Sequence, residues 1–171
     1  DHVTADIVVS PRSVEEVKTV LRAAYKHDVA ITPRGAGTGN YGQAMPLSGG
    51  AMLDLMSMDK VLEIKPDRVR AQAGAVMEKI DHECRAAVGG ELRFHPSTYR
   101  MASIGGFIAG GSGGVGSIKW GGLRALGSIL GLKVITCEAE PRELDLSGED
   151  ILKVAHAYGT NGIIVEAEMP L

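Results

Sequence analysis

Thr32-Pro33-Arg34-Gly35-Ala36-Gly37-Thr38-Gly39-Asn40 decides how this chain is read. The apolar run Val29-Ala30-Ile31 leads into it, and glycine then recurs at every second position with small residues between. Without a Cβ, backbone comes close to a ligand and adopts positive φ. Successive N–H groups can then converge into an anion-binding concavity. Two readings follow from these residues: a pyrophosphate-binding loop, or a glycine-rich turn between strands.

The stretch Ser103-Ile104-Gly105-Gly106-Phe107-Ile108-Ala109-Gly110-Gly111-Ser112-Gly113-Gly114-Val115-Gly116 favours the first reading. The interval from Gly105 to Gly131 holds nearly half of the chain's 23 glycines. Ordering glycine costs more backbone entropy than ordering any other residue, so something must offset the loss. A flexible linker is the alternative, but such linkers are rich in Ser and lack Ile, Phe and Val. Here Ile104, Phe107, Ile108, Val115, Ile118 and Trp120 punctuate the glycines. A packed wall lying flat against a large planar ligand fits them better.

Gly37-x-Gly39-x-x-Gly42 and Gly111-x-Gly113-x-x-Gly116 both match the dinucleotide fingerprint. That motif needs a helix opening on the loop. The segments after Gly42 and Gly116 are too broken by Pro and Gly for one of useful length. A Walker A loop fails as well, because Ser117 stands where its Lys belongs. The phosphate-cradling chemistry survives without the Rossmann geometry.

Composition bounds the rest. With 171 residues, 44% apolar and 23% charged, the chain suits one domain or two small lobes sharing a core. A net charge of −3 leaves no basic footprint for nucleic acid. Cys84 and Cys137 lie far apart, which suits free thiols in a reducing, cytoplasmic compartment, although a disulfide stays open. The five histidines are scattered, so no metal site is expected. No apolar run is long enough to span a membrane, and nothing resembles a signal peptide. The first residue is Asp, so the native start lies upstream or has been removed.

The periodicities predict a strand over Ala5–Val9 and a helix over Ser13–His27 with a Ser13/Glu16 capping box. Strands follow at Val29–Thr32, Ala51–Leu55, Val61–Lys65 and Arg68–Ala73, the last two joined at Pro66-Asp67. A helix over Val76–Val88, with Val76, Ile80, Cys84 and Val88 on its inner side, ends at Gly89-Gly90. Phe94 to Gly122 reads as loop with a buried helical turn near Gly105–Ala109. A strand over Ile129–Thr136, a helix from Ser147 with Ile151, Val154, Ala155 and Tyr158 inside, and a strand over Gly162–Met169 complete an α+β chain.

These residues resemble the FAD-binding domain of the FAD-linked oxidases, the p-cresol methylhydroxylase and vanillyl-alcohol oxidase superfamily, in its D-2-hydroxyacid dehydrogenase and glycolate oxidase branch. The likeness rests on Pro33 to Thr38, on Pro96-Ser97-Thr98 before Ala102-Ser103-Ile104-Gly105-Gly106, on Lys119-Trp120-Gly121 and on Gly162-Ile163-Ile164-Val165-Glu166-Ala167, in family order. It implies two α/β lobes, residues 1–56 and 57–171, with FAD between them and a cap domain absent. It implies that Pro33, Arg34, Gly35, Ala36, Gly37, Thr38, Gly39 and Asn40 meet the FAD diphosphate. It further implies that Pro96, Ser97, Ala102, Ser103, Gly105, Gly106, Ala109 and Gly113 line the flavin and ribityl chain, and that Ile163 and Ile164 meet the adenine side.

Plainer roles stand beside these. Ile163 and Ile164 also suit strand core, Ser97 and Ser103 local capping, and Arg34 a structural ion pair. Lys119 and Trp120 suit either the cofactor's edge or, more plainly, a solvated face and the core, and His95 either a bond to the flavin or substrate or, more plainly, a loop with a satisfied ring. Thr38 stands where some relatives carry the histidine that bonds FAD covalently, so FAD is expected to be non-covalent. Two steps depart from the family: Cys137 to Leu144 is a short acidic hairpin, and Gly159-Thr160-Asn161-Gly162 replaces G-T-L-G. The catalytic base is expected in the missing cap, so the catalytic residues are unknown. The implied reaction is oxidation of a small 2-hydroxy acid by hydride transfer to flavin N5, with electrons passing to a further acceptor. The alternatives are an FAD-carrying subunit of a multi-subunit oxidase, or an enzyme like UDP-N-acetylenolpyruvoylglucosamine reductase. A homo-oligomer or a partner subunit fits either.

Overall fold

The computed structural model describes residues 3–171. Strand β1 (Ile7–Val9) ends at Ser10-Pro11, and helix α1 (Val14–Lys26) follows. Ser13 caps α1 in extended conformation, its Oγ accepting the Glu16 N–H at 3.2 Å. Glu16 answers one residue further back than a standard capping box, accepting the Arg12 N–H at 2.7 Å. Val17, Leu21 and Ala24 form the buried face.

The chain leaves α1 through Asp28 at a φ of 52°, and the Val29 N–H bonds the Ala24 carbonyl at 2.9 Å. That exit uses up Val29 and Ala30. Strand β2 therefore runs Ile31–Arg34 rather than Val29–Thr32. Its register is set by β3 (Ala51–Asp54), with Ile31 opposite Ala51 and Arg34 opposite Asp54. Pro33 has no N–H for a ladder, but β2 is an edge of the parallel sheet β1-β3-β2 and tolerates it.

The second sheet is antiparallel. Strands β4 (Val61–Lys65) and β5 (Arg68–Gln72) form a hairpin across Pro66-Asp67. Between it and the later strands lie α2 (Met77–Val88), α3 (Ile104–Gly110) and the single turn α4 (Ser117–Trp120). Strands β6 (Gly131–Ile135), β7 (Glu143–Leu146) and β8 (Ile163–Pro170) complete the order β4-β5-β8-β6-β7. The α+β class holds, with one parallel and one antiparallel sheet.

Two further expectations need correction, and one strand was not read from the sequence. The inner face of α2 is Met77, Ile80, Asp81 and Cys84, while Val88 is 37% exposed. Glu143–Leu146 is a strand, its Glu-Leu-Asp-Leu alternation set against β6. The expected helix from Ser147 is only a 3-10 segment, Gly148–Lys153. Tertiary bonds stop it: the His156 and Tyr158 N–H groups go to the carbonyls of Ile108 and Ala109, each at 3.0 Å. That pull holds both residues at positive φ, 62° and 53°.

Val17 and Leu21 of α1, Leu53 of β3, Ile135 of β6, and Ile163 and Val165 of β8 form one buried cluster. The parallel sheet and the five-stranded sheet therefore share a core. Each such side chain contributes roughly 1.5–3 kcal/mol on burial. A larger cluster joins α2, α3 and the inner face of the antiparallel sheet.

Candidate functional site

Where the end of β2, the start of β8 and helix α3 converge, a cleft of about 350 Å³ opens. Its first wall is Pro33 to Asn40. Gly35 is where this loop crosses α3: a Cβ there would stand 2.0 Å from Ser103 Oγ and 3.7 Å from the Gly106 Cα. Gly37 has a φ of 66°, and the Arg34 guanidinium folds over it, so that a Cβ would meet its Nη2 at 2.5 Å.

The loop's amides are starved of acceptors. Among the described residues, the Ala36 N–H alone of those from Gly35 to Asn40 has a partner, Ser103 Oγ at 3.4 Å. Among the described residues, the N–H groups of Gly35, Gly37, Thr38, Gly39 and Asn40 bond nothing in the chain. Arg34 forms no ion pair there either; its guanidinium has only the Met52 thioether, at 3.8 Å.

The second wall is α3 and the turn before it. Ser103 does not cap its own helix. The Ile104 and Gly105 N–H groups are bolted to the carbonyls of Ala75 and Ala73 at 2.9 and 2.8 Å. Gly105 must be glycine, since a Cβ would lie 2.6 Å from that of Ala73. Gly106 is exposed, and among the described residues its N–H is left without a partner. Pro96 and Ala102 are buried in the same wall, while Ser97 is exposed. Ala109 adds a half-buried methyl. Ile163 and Ile164 are 2% and 5% exposed yet line the cleft, so each is both strand core and wall.

One expected residue falls outside. Gly113 does not line the cleft; it packs toward Ser117, and Ser112 takes its place. The later glycines serve the protein itself. Cβ atoms at Gly114 and Gly116 would strike the carbonyls of His95 and Arg93 at 2.3 and 1.8 Å. The expected flat wall therefore ends at Ser112. Val115 and Ile118 are exposed, and Trp120, expected in the core, is 39% exposed with Arg93 and Lys119 over its ring at 4.1 and 4.4 Å. Lys119 and Trp120 do not edge the cleft.

His95 does not line it either; its Nε2 sits 2.8 Å from Asp81 Oδ2. Tyr99 donates to the same oxygen at 2.9 Å. Burial first, and then that bond, push the Tyr99 phenol up to about 12. Residues not named as site residues in the sequence also line the cleft, among them Gln43, Thr98 and Tyr158. Tyr158 had a signal in the neighbouring Gly159 and Gly162; Asp81, within an α-helical polar pattern, had none.

Among the described residues no Asp, Glu, His, Lys or Cys lines the cleft, and Arg34 is its one charged side chain. Burial pushes the Cys84 thiol up to about 11. No three His, Cys, Asp or Glu side chains gather as a metal site among these residues, and no helix is long and apolar enough to cross a membrane. The site suits an extended anion with aromatic ends rather than acid–base chemistry of its own.

Known proteins resemble the chain over nearly all of it. The glycolate oxidase subunit GlcD of Bacillus subtilis (strain 168) is 30% identical over 175 residues, covering 97% of this chain and 37% of that protein. D-2-hydroxyglutarate dehydrogenase of Xanthomonas citri pv. viticola is 35% identical over 173 residues, covering 96% and 36%. A solved alkyldihydroxyacetonephosphate synthase superposes with a TM-score of 0.82 at 27% identity, over 95% of this chain and 33% of that one. The chain thus spans about a third of the length of these relatives. The family described as FAD binding domain matches residues 5–145, from β1 through β7. Free amides along a glycine loop are what a dinucleotide diphosphate requires, and the chain belongs to this FAD binding domain family, with FAD as its cofactor.

Proposed function

We propose that FAD lies along the cleft with its diphosphate on the amides of residues 35–40 and Arg34 beside it. The flavin and ribityl chain lie along Pro96, Ser97, Ala102, Ser103, Gly105, Gly106 and Ala109, and the adenine side along Ile163 and Ile164. One observation carries this: a lone cation stands next to five amides that have no acceptor among the described residues. Hydrogen bonds to a charged acceptor are worth about 1.5–3 kcal/mol each. The lobes are residues 1–56, built on the parallel sheet, and 57–171, built on the antiparallel one. Attachment is non-covalent, in keeping with the lack of His or Cys on the described lining. Two free cysteines, one buried and one exposed, suit a cytoplasmic setting.

Titrating FAD and FMN into the chain and following flavin fluorescence tests the placement. FMN lacks the diphosphate bridge and adenosine, so it should bind at least about tenfold more weakly, a loss of roughly 1.4 kcal/mol. Equal affinities would sink it.

We further read the whole protein as a flavin-dependent dehydrogenase of a small 2-hydroxy acid. Relatives named glycolate oxidase subunit, D-2-hydroxyglutarate dehydrogenase and D-lactate dehydrogenase support this. Bound FAD supplies the hydride-accepting N5, while protein supplies position and electrostatics. The base and the substrate-carboxylate clamp belong to a cap outside this chain, since the described cleft lining offers no base. A second reading, an FAD-carrying subunit, draws on the same lack and on a relative named as a subunit. Flavin bleaching by glycolate, D-lactate or D-2-hydroxyglutarate without an added partner chain favours the first; bleaching only with a co-purifying chain favours the second.

A further inference from the structure

Asp81 is the one acid among the described residues that is fully buried, at 0% exposure on the inner face of α2. Its Oδ1 accepts the Leu92 N–H at 2.7 Å. Its Oδ2 is met by His95 Nε2 at 2.8 Å and the Tyr99 hydroxyl at 2.9 Å. A carboxylate only accepts, so His95 carries its proton on Nε2. The His95 and Tyr99 rings meet edge to face, their centroids 4.9 Å apart. Outside this set, the Arg85 guanidinium stands 3.7 Å away and is held by Glu91 at 2.6 Å.

A buried carboxylate costs several kcal/mol unless donors surround it. Here every close donor comes from residues 92–99, and two of them flank Pro96-Ser97-Thr98. That strip lines the cleft. Its own bonds are turn bonds: Tyr99 N–H to the Pro96 carbonyl at 2.9 Å, and the Met101 and Ala102 N–H groups to the Thr98 carbonyl, each at 2.8 Å. None bonds α2 directly; the link at the strip's far end runs through Ala102, whose carbonyl accepts the Met77 N–H at 3.0 Å. The bridge from His95 to Val115 ties it only to the exposed glycine run. Its side-chain anchor on the helical layer is Asp81, which holds the residues on both sides of it.

We propose that Asp81 is a positioning residue for the cleft: by gathering His95 and Tyr99 it holds Pro96-Ser97-Thr98 where the strip meets the isoalloxazine half of FAD. The inference rests on the FAD placement proposed above. It separates from a general stabilising role because the strip and the diphosphate loop are different walls. Loosening the strip weakens binding of FAD and leaves binding of ADP, which has the diphosphate and adenosine alone.

The test measures dissociation constants for FAD and ADP with the wild-type chain, Asp81→Asn, Tyr99→Phe and His95→Gln. The variants are expected to lose about tenfold in FAD affinity, the scale of one charged hydrogen bond. Their ADP affinity should stay within about twofold, and the absorbance of bound flavin should shift. A parallel fall for FAD and ADP, or no fall for either, overturns the proposal. If Asp81→Asn fails to fold, the same ratio in Tyr99→Phe and His95→Gln decides. A wild-type chain that binds ADP but not FAD overturns the cofactor placement and this proposal with it; wild-type binding with unchanged ratios overturns the proposal alone.

Discussion

Gly35 and Gly116 look alike in the sequence and do different work. At Gly35 a Cβ would strike the Ser103 hydroxyl, so the loop could not close on α3 beside the cleft. At Gly116 it would strike the carbonyl of Arg93, far from any ligand surface. A glycine announces a close approach without naming what approaches, which is why the run from Gly113 to Gly116 was read as part of a wall that ends at Ser112. Ser97 and Arg34 were undecided between local and ligand roles; among the described residues Arg34 has no ion pair, its guanidinium meeting only the Met52 thioether, and both residues line the cleft. Replacing Gly35 with Ala should lower FAD affinity at least about tenfold. Adding Ser103→Gly, which removes the opposing atoms, should recover most of the loss. A Gly35→Ala chain that binds FAD like wild type would show that the crossing is not tight.

At the scale of elements, local signals succeeded where they met no tertiary competitor. The Ser13 cap and the left-handed Gly89 stop mark α1 and α2 as read from sequence. The segment after Ser147 failed because Ile108 and Ala109 carbonyls, more than forty residues earlier, claim its N–H groups. The tie between α2 and residues 92–99 was equally invisible, since nothing local pairs Asp81 with Tyr99. That tie predicts a pH dependence. Tyr99 titrates near its ordinary 10.0 when unfolded and is pushed up to about 12 when folded. Between those values the folded chain keeps a proton that the unfolded chain has lost, so stability falls as pH rises. The contribution is whole below pH 10 and gone above about 12. Cys84, raised from 9.0 to about 11 mainly by burial, acts in the same direction. Urea unfolding across this range should show a shallower decline in Tyr99→Phe than in wild type. Parallel profiles would remove Tyr99 from the account.

For the molecule as a whole, class and order of elements were readable because periodicity and turn residues are local. The joining of the two sheets was not, because Val17, Leu53, Ile135 and Val165 come from distant parts of the chain and meet only in the shared core. That core joins the elements that carry the walls of the cleft, where five amides of the 35–40 loop and the N–H of Gly106 have no partner among the described residues. The most direct test is a crystal structure of the chain grown with FAD. Diphosphate oxygens should lie within about 3.2 Å of the amides of the 35–40 loop, with the Arg34 guanidinium turned toward them. A flavin bound elsewhere, with that loop facing only solvent, would contradict the account at its root.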